Sequence, residues 1–399
     1  MTTPADPEND AAPLRRAMAS TLADTGVLAD PAWRAAVEAV PRHRFVPGFY
    51  LPVGEPDPHG LTVWEPVTAA LDYARWLASS YADTTLITQF DGDEPDWSQA
   101  TPRHGGAPTS SSTLPSLVVQ MWADADLHEG HRVLEIGTGT GYSTALACER
   151  LGSKAVASIE VDGHRLSQAA GALYGMGYMP ALAVADGMYG YWPEAPFDRI
   201  VAACSFRAVP ASLLAQTRPG GKILLTLSGW LYGYARVLLT VAADGTASGP
   251  LLPGTVSFMS ARTHAAPSFG NPAHWATRAD APARPARHAP QRITGPTTEA
   301  FHLRFLAQAA VPSAQMTTLG ESVLLADTVT GSAAVLTPQA DGWQVREGGP
   351  VRLWTAVEDL LDAYDAADAP AAESFTLHVH PAGQHLRHPQ IPSLPLPRP

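Results

Sequence analysis

The stretch VLEIGTGTGYSTALA, Val133 to Ala147, sets Gly137, Gly139 and Gly141 behind a short apolar run. Closely spaced glycines after a buried strand let the chain turn sharply and let a ligand approach the backbone. Their spacing is G-x-G-x-G, so the G-x-G-x-x-G pattern of a pyrophosphate site is not met and a dinucleotide is disfavoured. A strand-to-helix turn that holds no ligand would use the same residues. Two further strand ends bear on the choice. SIEVD brings Glu160 about twenty residues past the glycines, where a carboxylate accepts hydrogen bonds from ribose hydroxyls. ALAVADG ends in Asp186 and Gly187. Each acid alone reads as a solvated strand-end carboxylate. Three successive strand ends, each with a turn, an acid or both, favour a nucleoside site at the carboxyl edge of an open sheet. Upstream, Thr109, Ser110, Ser111, Ser112 and Thr113 precede Pro115, which on composition alone is a hydroxyl-rich loop and helix cap.

Elements that could position these residues follow from the apolar periods. Strands are predicted near 132–136, 156–160, 181–185, 198–203 and 221–227, and helices near 142–151, 163–175 and 210–217. That alternation means a parallel α/β sheet covered on both faces. Segments 234–242 and 254–258, separated by the turn-prone AADGTASGPLLPG, should add strands at one edge. Short helices are expected over 14–40, from Leu14, Met18, Leu22, Trp33, Val37 and Val40. Residues 1–13 and 389–399 read as disordered tails, and 265–296, rich in proline, alanine and arginine, as a linker. Beyond it a second unit over 297–388 mixes helix and strand. Its helix VRLWTAVEDLLDAYDAA lines Leu353, Trp354, Val357, Leu360, Leu361 and Tyr364 on one core-facing stripe.

With a net charge of −12 and pI near 5.5, the chain offers nothing to phosphate backbones globally, so nucleic acid is not an expected partner. The N-terminus lacks the regions of a signal peptide, and Ile223 to Ala243 is interrupted by Ser228, Gly229, Gly233 and Arg236, so two strands and a turn are expected rather than a membrane span. A cytoplasmic protein is the expectation. Cys148 and Cys204 are the only cysteines and sit in apolar contexts, as buried thiols.

VLEIGTGTGY, SIEVD, ADG and APFDRIVAACSFRAVPASLLAQTRPGGKILL together resemble the S-adenosylmethionine-dependent methyltransferase core, and within it the protein-L-isoaspartate O-methyltransferase family. VPRHRFVP resembles that family's N-terminal segment, and the likeness runs over about 14–260. The resemblance implies a Rossmann-like class I methyltransferase domain over 14–264, an added α+β C-terminal domain over 297–388, and S-adenosylmethionine as cofactor. It implies that the backbone from Gly137 to Gly141 wraps the methionine and ribose part. Glu160 would bind the ribose, Asp186 with Gly187 would meet the adenine, and Glu135, Thr138, Tyr142 and Val161 would complete the cofactor site. It also assigns the substrate carboxylate to a serine two residues before a proline, which here is Thr113, with Ser112 and Ser111 beside it.

Methyl transfer from a sulfonium to a carboxylate needs no general base, so no catalytic triad is expected. It needs proximity, alignment and donors that hold the carboxylate without neutralising it. The added C-terminal part, with GGPVRLW, resembles a subgroup of these methyltransferases that accompanies ATP-grasp ligases in graspetide maturation. That likeness implies a precursor peptide substrate, pre-cyclised by such a ligase, whose aspartate ester collapses to an aspartimide. VSFMS, Val256 to Ser260, stands where the family has VRFVPL, with Ser257 for its arginine and Ser260 for its proline, which supports a dedicated peptide. Isoaspartate repair and an inactive peptide-binding module are the competing readings. Arg42, His43 and Arg44 are expected on a packed segment with exposed charges. His378, His380, His385 and His388 include an H-x-H pair, but with no cysteine or acid at ligand spacing a surface or peptide-contacting strand is expected rather than a metal.

Overall fold

Asp30 and Pro31 start a helix for simple reasons: the carboxylate accepts from the Ala32 N–H at 2.8 Å, and the proline sits where no N–H is needed. This is α2 (Pro31–Ala39), preceded by α1 (Pro7–Asp24), in a computed structural model that describes residues 7–397. Residues 7–13, expected in a tail, form the first turns of α1 because Ala11 is buried and Glu8 pairs with Arg15 at 2.7 Å. Residues 1–6 of that expected tail lie outside the described residues. By its contacts the chain falls into two units, one ending at Ala203 and one beginning at Cys204.

The first unit contains an antiparallel sheet that the sequence did not announce. It is built from β1 (Gly48–Pro52), β2 (Val63–Thr68), β3 (Leu86–Phe90), β4 (Arg103–His104) and β5 (Pro108–Ser112), in the order β4-β2-β1-β3-β5, with α3 (Tyr73–Ser80) between β2 and β3. The serines expected in a loop are therefore in a strand, with Leu86 opposite Ser112 and Ile87 opposite Ser111. Serine has little strand preference, and the fully buried partner β3 overrides it. The run then continues as α4 (Pro115–Asp124), β6 (Val133–Ile136), α5 (Tyr142–Leu151), β7 (Val156–Glu160), α6 (Gly163–Gly175), β8 (Ala181–Val184) and β9 (Phe197–Phe206), which extends into the second unit. Strands β9-β6-β7-β8 are parallel, with Leu134 opposite both Ala157 and Ile200. Val133, Leu134, Ile159 and Ile200 are fully buried, as a sheet covered on both faces requires. The order of the strands reverses at β6, with β7 and β8 on one side and β9 on the other, which makes the carboxyl ends of these strands the place for a ligand.

In the second unit, α7 (Ala211–Ala215) leads to β10 (Thr217–Ser228), β11 (Tyr234–Val241) and β12 (Ala247–Pro250). Strand β12 occupies the segment expected to be a turn, while 254–258 forms no strand and ends in a single bridge, Ser205 to Ser260. The run from Ile223 is a β10–β11 hairpin, and no helix among the described residues is long and apolar enough to cross a membrane.

The linker expected over 265–296 is structured, with α8 (Pro272–Arg278), β13 (Arg284–Pro285) and α9 (Gln291–Thr294). Then follow α10 (Thr298–Ala310), β14 (Ala314–Leu319), β15 (Ser322–Asp327), β16 (Ser332–Gln339), β17 (Gly342–Gly348), α11 (Leu353–Ala366), β18 (Thr376–His380), β19 (Gly383–His388) and β20 (Ile391–Pro395). The arginines of the proline-rich stretch meet acids about seventy residues later. Arg284 reaches Glu358 at 2.8 Å and Glu347 at 3.0 Å, Arg287 pairs with Asp359 and Asp362, and Arg292 reaches Asp365 at 2.8 Å. Glu358 is fully buried, and its charge demands these partners.

Strands β13-β17-β16-β15-β14 form one sheet, while β18 pairs with β12, so the expected boundaries at 264 and 297 are not divisions of this unit. β20 lies in the expected C-terminal tail. It is an edge strand, which tolerates Pro392 and Pro395, and it buries Ile391 and Leu394.

The stripe on α11 is buried throughout. Behind it His302 packs edge-on to Tyr364 and Phe375 at 6.2 and 5.4 Å, with its Nε2 unbonded. Burial pulls this imidazole down to about 4. A depressed folded value means the stability from neutral His302 is complete above its unfolded pKa and is lost as pH falls towards 4, about 3 kcal/mol at pH 4. Urea titrations between pH 6.5 and 4 should show that His302→Phe flattens this acid limb, and an unaltered limb would acquit the residue.

Candidate active site

Gly137, Gly139 and Gly141 all have positive φ, at 94°, 55° and 89°, so the glycine requirement is conformational at each. The Gly137 and Thr138 N–H groups both bond the Ile159 carbonyl, at 2.8 and 3.1 Å, which turns the loop across the end of β7. Gly141 is the N-cap of α5 and supplies no capping side chain, so the first N–H groups of that helix remain available to an anion. A Cβ on Gly141 would lie 3.2 Å from that of Ala169, and one on Gly139 would lie 3.4 Å from the Ser111 carbonyl. The glycine loop is thus backed by α6 on one side and by β5 on the other.

Glu160, at the end of β7, accepts from the Gly139 N–H at 2.9 Å and the Asp162 N–H at 3.1 Å. Asp162 caps α6 through the His164 and Arg165 N–H groups and also takes a hydrogen bond from Gln89 at 3.0 Å, which ties the antiparallel sheet to this strand end. Asp186 holds a tight turn by accepting from the Met188 N–H at 2.9 Å, with Gly187 buried beside it. Val161 and Val184, at the ends of β7 and β8, are exposed apolar residues on the same edge. Glu135 on β6 is fully buried: one oxygen takes the Thr144 and Ser158 hydroxyls at 2.5 and 2.9 Å, while Oε1 has no partner. Burial pushes this carboxyl up, against the hydroxyl bonds that pull it down. The loop, the ribose-type acid, the apolar strand ends and the unpartnered Glu135 oxygen fit an adenosyl sulfonium that carries an amino acid.

Two of the expected cofactor residues present main chain only. The Thr138 hydroxyl is engaged by Ser158 at 2.7 Å, and the Tyr142 ring turns into the core beside Phe45.

The hydroxyl stretch does not cap a helix: the N-cap of α4 is Leu114, with no side-chain bond. Thr109 bonds Gln89 at 2.8 Å, Ser110 accepts from Thr88 at 3.1 Å, and Ser112 accepts from the Arg42 Nε at 3.3 Å. Ser112, expected beside the substrate, is therefore buried against Arg42. The Ser111 and Thr113 hydroxyls make no hydrogen bond among the described residues, and the Ser111 carbonyl lies against the glycine loop. Arg42 itself corrects the expectation of exposed charges: it is fully buried, as is most of His43, whose Nδ1 meets the Tyr81 hydroxyl at 2.7 Å. Nothing in the segment VPRHRFVP distinguishes the buried arginine from exposed Arg44, because its partners are main-chain carbonyls that no sequence pattern marks.

Cys148 is buried and its thiol is pushed up to about 12, whereas Cys204 is only partly buried. His378 faces His385 across β18 and β19, and among the described residues no group of three or more metal-ligating side chains comes together.

The model of the family "Protein-L-isoaspartate(D-aspartate) O-methyltransferase (PCMT)" matches residues 93–242. The chain is 31% identical over 215 residues to Protein-L-isoaspartate O-methyltransferase 1 of Archaeoglobus fulgidus, covering 53% of this chain and 79% of that one. The chain belongs to the protein-L-isoaspartate O-methyltransferase family. Members of this family are S-adenosylmethionine-dependent carboxyl O-methyltransferases, and the chain is an enzyme of that class. Protein-L-isoaspartate O-methyltransferase 1 of Nitrosospira multiformis is 37% identical over 134 residues, 33% of this chain and 56% of its own. A solved structure titled protein-L-isoaspartate O-methyltransferase shares the fold, with TM-score 0.53 and 19% identity over 94% of this chain and 99% of that one. The likeness in fold reaches past the methyltransferase core.

Proposed function

We propose that the chain esterifies an aspartate side-chain carboxylate in a ribosomally made peptide that an ATP-grasp ligase has already cyclised. The observation that carries the carboxylate chemistry is that β5, whose Ser111 carbonyl lies against a glycine loop with positive φ at every bend, leads into two hydroxyls, Ser111 and Thr113, that have no hydrogen-bond partner among the described residues. Gly137 to Gly141 would hold the methionine and ribose part of S-adenosylmethionine, Glu160 the ribose hydroxyls, and Val161 with Asp186 and Gly187 the adenine. Glu135 would offer its unpartnered oxygen to the cofactor's ammonium. The bound cofactor supplies an electrophilic methyl group. Thr113 and Ser111 donate to the substrate carboxylate and aim one oxygen at the methyl group. A carboxylate oxygen bonds the methyl carbon, the carbon–sulfur bond breaks, and the sulfur keeps its electron pair as neutral S-adenosylhomocysteine. The following residue's amide nitrogen then attacks the ester and methanol leaves, giving a succinimide.

A dedicated peptide is supported by Ser257, which is exposed where the family's segment carries an arginine. That segment is tied down through Ser205, whose N–H and hydroxyl bond the Met259 and Phe258 carbonyls at 2.9 and 3.0 Å. Isoaspartate repair is the second reading, supported by relatives that are named as protein-L-isoaspartate O-methyltransferases. Mass spectrometry separates them. With cofactor present, the cyclised precursor should lose one water, while an isoaspartyl peptide stays unmodified. Methylation of the isoaspartyl peptide alone would overturn the first reading in favour of repair.

A further inference from the structure

Arg42 stands at the head of the RHRF turn, buried on all sides, and its charge is met by main-chain oxygens. Nη1 donates to the carbonyls of Ser80 and Ala82 at 3.2 and 3.1 Å. Nη2 donates to those of Thr84, Ser112 and Thr113 at 3.0, 3.1 and 3.1 Å, and Nε to the Ser112 hydroxyl at 3.3 Å. One guanidinium therefore joins three stretches of chain that are far apart in sequence: the RHRF turn, the turn between α3 and β3, and the junction of β5 with α4. Its carbon also lies 5.7 Å from the centre of the Tyr142 ring, and Tyr142 immediately follows Gly141.

We infer that Arg42 is a positioning residue: it fixes the main chain of Ser112 and Thr113, and with it the Thr113 hydroxyl, relative to the first residue after the glycine loop. The inference rests on the proposed role of Thr113 towards the substrate carboxylate. Every donor of the guanidinium is used, and a planar fork is needed to reach carbonyls on two segments besides its own turn. Lysine keeps the charge but offers three donors at one point, so it cannot hold both sides of the junction. The charge survives burial: desolvation pulls Arg42 down only to about 10, so it stays protonated at neutral pH.

A buried arginine bonded to carbonyls could serve stability alone, and the molecule contains the control. Arg199, at the start of β9, donates to the Ala125 and Asp126 carbonyls at 2.6 and 3.0 Å, at the amino end of that strand. In full-length enzyme with S-adenosylhomocysteine bound, Arg42→Lys should speed amide exchange at residues 109–118 by about tenfold, and Arg199→Lys should not. With the carboxyl peptide that the wild type methylates, Arg42→Lys should lower kcat by about a hundredfold, the scale of a small misplacement of reacting groups. It should leave S-adenosylhomocysteine affinity within about threefold of wild type, a change of under 1 kcal/mol. Arg199→Lys should lower Tm with kcat retained.

Unchanged exchange at 109–118 in Arg42→Lys, or an equal loss of kcat in Arg199→Lys, would overturn the inference. If Arg42→Lys does not fold, Ser112→Ala, which removes one acceptor, carries the same comparison, expected to lower kcat by about threefold with cofactor binding kept. A wild type that methylates no carboxyl peptide sinks the proposed function, while the exchange comparison still decides the positioning of the junction.

Discussion

Thr113→Val should lower turnover about a hundredfold, the usual loss when one preorganised donor at a reacting oxygen is removed, and leave S-adenosylhomocysteine binding nearly unchanged. Valine keeps the volume and branching of threonine, so the junction between β5 and α4 survives, and the Arg42 bond to the Thr113 carbonyl does not involve the side chain. What disappears is a hydroxyl that no group among the described residues engages. Single-turnover methylation at saturating peptide and calorimetry with S-adenosylhomocysteine give the two numbers. A valine variant with wild-type turnover would shift the role to Ser111, and Ser111→Ala would then carry the large loss.

Glu160→Ala should act on the other half of the reaction. Glu160 orders the strand end by accepting from the Gly139 and Asp162 N–H groups, and it would hold the ribose hydroxyls as well. Charge-assisted hydrogen bonds contribute about 1.5–3 kcal/mol each, so S-adenosylhomocysteine should bind about a hundredfold more weakly in calorimetry. Turnover at saturating cofactor should fall much less than in Thr113→Val, because the groups that hold the carboxylate are untouched. Equal affinity in the two proteins would show that the ribose is held elsewhere. Opposite effects on binding and turnover in the two variants would separate a cofactor half from a substrate half of one site.

Whether β5 is a strand matters to both results. Read alone, TSSST suggests a loop or a cap, since serine and threonine bond their own backbone more readily than they build sheets. Its strand character comes from pairing with the buried segment LITQF, about twenty residues earlier in the chain and separated from it by a polar excursion. The strand then sorts the hydroxyls. Ser110 and Ser112 point inwards and are used up by Thr88 and Arg42, whereas Ser111 and Thr113 remain.

The parallel strands β6 to β9, the helices between them, the three bends of the glycine loop and the acids at the strand ends were legible in the residues themselves. Apolar period, glycine placement and capping are local properties, settled within one turn or one strand. Tertiary structure alone decided that Arg42 is buried, that Ser112 faces it, that 265–296 is pinned along α11 by Arg284, Arg287 and Arg292, and that the proline-rich end adds an edge strand. Each of these depends on a partner tens of residues away in sequence, and burial and charge pairing are fixed only once the chain has brought such partners together.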